Sequence, residues 1–120
     1  MVQQAFHAGV RIILATLPPS EYCLSGSPLP SASNPYAGDL NPGPENPGST
    51  QRRILNDWIR TSGPALPGVV AIADFDQALA DPDHPDFMKP NLNSGDNFHP
   101  NGAGYGVQSS AIPLDKILAP

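Results

Sequence analysis

The sequence has little with which to cross-link itself, cross a membrane or bind a polyanion. Its single cysteine, Cys23, cannot form an intrachain disulfide, so it is either a plain thiol or one half of a bridge to another polypeptide. No apolar run approaches the roughly 20 residues that span a bilayer, and the region of Met1 lacks the basic start and apolar stretch of a signal peptide; a soluble chain without a membrane span is expected. Basic residues are scarce: six Lys and Arg stand against eleven Asp and Glu, for a net charge of −5. The whole excess lies beyond residue 60, where the aspartates face only Lys89 and Lys116, which argues against a nucleic-acid partner. The three histidines are far apart and no cluster has zinc spacing, so no metal is expected. Internal repeats are absent.

What the chain does have is proline (16) and glycine (11), together with 39% hydrophobic residues gathered into distinct runs. That combination fits ordered elements joined by long loops better than general disorder. With 120 residues there is room for one small core. Residues 2–8 read as the last turns of a helix stopped by Gly9. Residues 10–16 and 68–73 are short, almost unbroken apolar runs bounded by Gly and Pro, as expected of parallel strands buried on both faces. Between them, Ser49 or Thr50 is expected to cap a helix running to about Ser62, with Ile54, Leu55, Trp58 and Ile59 on one core-facing side and Gly63-Pro64 as the stop. Strand, helix and strand make a βαβ unit, so the fold class is α/β.

Residues 18–48 carry no periodicity and read as a long loop leaving the C-terminal end of the first strand. In open α/β sheets ligands bind outside that end of the strands, so the loop either lines a cleft or is a solvated insertion. Tyr36, an aromatic in this polar stretch, either contacts substrate or packs a turn. Residues 74–80 suggest a short helical turn, 81–95 another loop, and Pro100-Asn101 opens a last helical segment toward Leu118 that Pro113 interrupts.

Chemistry is concentrated in residues 93–105, NSGDNFHPNGAGY. A carboxylate at Asp96, three residues before His99 on a loop entering a helix, can accept from one imidazole nitrogen and leave the other free to take a proton. The spacing alone is weak, and its context carries the reading. Gly-Asp-x-x-His-Pro-Asn-x-x-Gly-Tyr resembles the C-terminal signature block of the SGNH (GDSL-type) hydrolases. Three other segments resemble the same family in the same order: residues 10–19 (VRIILATLPP), 52–63 (RRILNDWIRTSG) and 72–82 (IADFDQALADP).

The resemblance implies a flavodoxin-like three-layer α/β/α sandwich, of which residues 1–120 are expected to be the C-terminal part of one domain, supplying about two parallel strands with their helices. It makes His99 the general base of a carboxylic ester hydrolase and Asp96 the group that holds its tautomer, with no cofactor. Thr16, Leu17, Tyr36 and Phe98 become the candidate substrate contacts, and the implied substrates are small acyl esters, lipids or acetylated sugars. Full-length relatives are often secreted. The family's Gly-Asp-Ser, its separate glycine and its Gly-x-Asn block have no counterpart before Val10, so the nucleophile is expected from a segment outside this sequence. A triad without its serine loses on the order of 10⁶ in kcat. Ser25 and Ser94 are the substitutes within the chain, and neither lies in a strand-to-helix turn.

Other readings compete for the same residues. Without a nucleophile, the chain is alternatively a non-catalytic binding or interaction piece that associates with itself or with a missing N-terminal half. Asp81, Asp83 and Asp86 are either oxygen ligands for calcium or a solvated acidic loop, and they lack the EF-hand spacing. His7 suits a helix C-terminus, and His84 belongs to the acidic loop.

Overall fold

The computed structural model describes residues 2–20 and 47–118. Cys23, Ser25, Tyr36 and nearly all of the expected loop over 18–48 lie outside the described residues. Helix α1 (Val2–His7) ends as its glycine dictates: Gly9 adopts φ 71°, and the Val10 N–H returns to the Ala5 carbonyl at 2.9 Å. Strand β1 (Ile12–Ala15) pairs in parallel with β2 (Val69–Ala73), Ile12 opposite Val69 and Ala15 opposite Ala73. Helix α2 (Pro47–Thr61) makes the crossover and begins two residues before the expected cap, with Pro47 tolerated in the first turn. Gly63, which opens a 3₁₀ turn through Ala65, sits hard against the sheet; a Cβ there would meet Leu14 Cδ1 at 3.0 Å. The chain is thus a mixed α/β structure built on a βαβ unit.

Beyond β2 the described chain is short helices and turns. Asp74 caps α3 (Phe75–Leu79) by accepting from the Gln77 N–H at 3.1 Å. A 3₁₀ turn spans Pro90–Leu92, α4 runs Gly102–Ser110, and α5 (Leu114–Leu118) follows Pro113. Arg11 donates to the Lys116 carbonyl at 3.2 Å, tying the last turn of α5 to the start of β1. None of the described helices is long and apolar enough to cross a membrane.

Burial departs from expectation in two places. The strands are not buried on both faces: β1 is half-buried and Ala15 exposed, while the buried apolar cluster is Leu79, Met88 and Leu92, beneath α3 and the segment leading to α4. Helix α2 is also rolled. Ile54 is 58% exposed, Leu55 lies outside as well, and Trp58 is 46% exposed; the buried side is Arg52, Asn56 and Ile59, at i, i+4 and i+7. The physical reason is polar. Arg52 bonds Asp76 and, at 2.6 Å, Asp86; Arg60 grips Asp74 through two bonds of 2.7 Å; and Asn56 exchanges 2.8 Å bonds with the Leu17 N–H and carbonyl. Only one side of α2 can face these groups, and of the apolar stripe it takes in Ile59 alone.

Candidate functional site

The site is a loop closed at its stem. Asn93 and Pro100 form an isolated antiparallel bridge, the Ser94 N–H bonds the His99 carbonyl at 2.9 Å, and the Asn101 N–H bonds the Leu92 carbonyl at 2.7 Å. Asn101 then starts α4 as its cap, accepting from the Gly104 N–H at 3.0 Å. His99 therefore stands one proline ahead of a capped helix, and the stem supports the four residues from Asp96 to His99.

Within the loop the Asp96 carboxylate is divided between two tasks. Oδ1 accepts from the Phe98 N–H (2.9 Å), the His99 N–H (2.8 Å) and the Ser94 hydroxyl (2.9 Å). Oδ2 meets His99 Nδ1 at 2.6 Å. These donors hold the Asp96 carboxyl well below the usual carboxylate range: the His99 side chain has the largest effect, partial desolvation opposes it, and the His99 and Phe98 N–H groups and Ser94 reinforce it. An ionised carboxylate only accepts, so Nδ1 must carry the proton, and neutral His99 keeps its lone pair on Nε2. The imidazole is 58% exposed and Phe98 stands edge-on to it, ring centroids 4.7 Å apart. An oriented, accessible base is what this arrangement offers.

The other candidate residues are placed differently. Thr16 is buried, its hydroxyl donating to Asp74 Oδ1 and accepting from the Asp76 N–H, each at 2.9 Å, so it ties the end of β1 to the end of β2. Leu17 exposes its side chain while its backbone is held by Asn56. Phe98 adjoins the pair, and Tyr36 lies outside the described residues. Ser94 spends its hydroxyl proton on Asp96. In the acidic loop, Asp86 is engaged by Arg52 and Arg53, and Asp81 Oδ1 accepts from the Asp83 and His84 N–H groups at 2.9 and 3.3 Å. Among the described residues no group of three or more His, Cys, Asp or Glu side chains is placed to hold a metal ion.

Sequence reasoning missed the Arg52–Asp76–Arg60–Asp74 network and the Asn93–Pro100 bridge that closes the stem. The first had a signal: three arginines on one helix (52, 53 and 60) and aspartates at 74, 76 and 86 in a chain otherwise poor in charge. The second had none, because an asparagine in a loop is commonplace. No protein-family model matches the chain, and no curated protein does.

Proposed function

We propose that this chain carries the general-base half of an SGNH-type serine esterase, acting on a carboxylic ester. The observation that supports it is the 2.6 Å contact of His99 Nδ1 with Asp96 Oδ2 inside an Asp-x-x-His loop that feeds a capped helix. In the reaction, His99 Nε2 takes the proton of a serine hydroxyl as its oxygen adds to the ester carbonyl. The same proton then passes to the departing alcohol, leaving an acyl-serine that a water molecule, activated by the same nitrogen, hydrolyses. Asp96 stays ionised throughout and holds the imidazole in the productive tautomer. The parallel β1–β2 pair is proposed to belong to a three-layer sandwich, with the serine on a Gly-Asp-Ser segment. Substrates are esters of small acids, lipids or acetylated sugars.

The test is reconstitution. Alone, the chain should barely hydrolyse p-nitrophenyl acetate; fused behind a segment carrying Gly-Asp-Ser and Gly-x-Asn, it should turn over. His99→Ala should abolish that activity, and Asp96→Asn should lower kcat by about 10⁴ by favouring the wrong tautomer. Turnover that survives His99→Ala would remove this mechanism. The outward Ile54, Leu55 and Trp58 favour a second reading, an interaction piece without catalysis. It gains if the fusion folds and stays inactive.

A further inference from the structure

Asp96 stands between two residues in the left-handed region, Gly95 (φ 105°) and Asn97 (φ 58°), of which the second is not glycine. Both are held by one side chain. Asn93 Oδ1 accepts from the Gly95 N–H at 2.8 Å and from the Asn97 N–H at 3.2 Å, while its Nδ2 donates to Asn97 Oδ1 at 2.8 Å. The Asn93 backbone is fixed separately, through its bridge with Pro100 and through the 3.2 Å bond that the Asn101 side chain donates to its carbonyl. A side chain rooted in the stem thus reaches the residues on either side of Asp96 without touching the carboxylate. Asn97 is buried behind it, so the clasp is shielded from competing water.

We propose that Asn93 is the positioning residue of the Asp96–His99 pair: by clasping the chain on both sides of Asp96, it fixes the turn that aims Oδ2 at His99 Nδ1. This rests on the reading of His99 as a general base, but its consequence is geometric and needs no turnover to be seen. With Asn97 held at φ 58°, Asp96 Oδ1 meets the Phe98 and His99 N–H groups while Oδ2 faces His99 Nδ1. Remove the clasp and the loop is free to relax toward ordinary φ values, so that Oδ2 no longer points consistently at the ring. The groups that face the carboxylate directly, the Ser94 hydroxyl, the Phe98 and His99 N–H groups and the His99 ring, are untouched by the substitution itself and serve as reporters.

The experiment is NMR on the intact chain. In the wild type, the Gly95 and Asn97 amides should exchange about tenfold or more slowly than unbonded amides. Asn93→Ala should move the Asp96 carboxyl titration up toward the ordinary carboxylate range and lose the downfield His99 Nδ1–H resonance, with Leu79 and Met88 methyl shifts unchanged. Asn93→Ser, whose hydroxyl can accept from the same loop amides, should restore part of both signals. Unprotected Gly95 and Asn97 amides in the wild type would overturn the proposal, as would an Asn93→Ala titration identical to wild type. If Asn93→Ala does not fold, the wild-type exchange and Asn93→Ser decide. An inactive fusion beside these shifts would count against the esterase and leave the clasp standing.

Discussion

At the scale of single residues, the loop is held in place by small side chains as much as by charged ones. Gly104, the glycine of the Asn-x-x-Gly-Tyr pattern, lies where α4 crosses the Leu92 carbonyl and Pro100; a Cβ built there would stand 2.7 Å from Pro100 Cβ and closer still to the Leu92 oxygen. Alanine would favour the helix by about 1 kcal/mol, but overpacking against backbone costs about 1–3 kcal/mol, so the clash wins. Gly104→Ala should therefore lower Tm by several degrees, whereas Gly106→Ala, with nothing within 4 Å of its Cβ, should raise it. Calorimetry of the two variants checks the pair, and equal shifts would show that α4 does not sit on Leu92 as described. Because α4 begins three residues after the imidazole-bearing position, Gly104→Ala should also disturb the His99 Nδ1–H resonance, and Gly106→Ala should not.

At the scale of elements, charge decides how α2 meets the rest. Arg60 holds the Asp74 carboxyl below its ordinary range by a hydrogen bond that outweighs partial desolvation, and the Gln77 N–H and Thr16 hydroxyl add to it; the same bond pushes the Arg60 guanidinium up. A carboxyl with a depressed folded-state pKa contributes stability that is fully present above its unfolded value, about 3.9, and is lost as pH falls through the lower folded value. Thermal stability should thus hold from neutral pH down to about pH 4 and fall below it, and Arg60→Gln should flatten that acid limb while lowering Tm at pH 7. An unchanged acid limb in Arg60→Gln would show that other carboxylates, Asp96 among them, carry the effect. The ends of the elements were legible in the sequence because their signals are local: Gly9, Gly63-Pro64, Asn101 and Pro113 each act on backbone within a few residues. The orientation of α2 was not, because Arg52 reaches Asp86, 34 residues away, and Asn56 reaches Leu17, 39 away. A stripe of apolar residues says which side of a helix can be buried, and distant polar partners rolled the helix until only Ile59 of that stripe stayed inside. Likewise, the Asp96–His99 spacing was legible as a pattern of four residues, while the Asn93 clasp depends on positive φ values that composition does not reveal.

At the scale of the whole molecule, apolar surface is distributed unevenly. Among the described residues the buried apolar cluster of Leu79, Met88 and Leu92 is small, and Leu79 is the largest of the fully buried side chains. Elsewhere large apolar groups face outward: Ile54, Leu55 and Trp58 on α2, Phe6 and Val10 near the start of the chain, and Leu114, Ile117 and Leu118 on α5. Both strands of the described sheet are edge strands, with peptide groups on their outer sides that a further strand can use. A contiguous apolar stripe of this kind on a helix is costly in water and favours association by burying it, at roughly 25 cal/mol per Å². The chain should therefore sediment as a concentration-dependent mixture, with the monomer melting at or below the usual mesophile range of about 45–65 °C. Replacing Trp58 with Lys tests the assignment of the face. Since Trp58 is half exposed and bonded to nothing in the Arg–Asp network, Trp58→Lys should shift the mixture toward monomer and leave the acid limb of stability as in wild type. If the parent chain is already monomeric at high concentration and melts cooperatively well above that range, the exposed stripe is not a contact surface and the small core is more stable than its area implies.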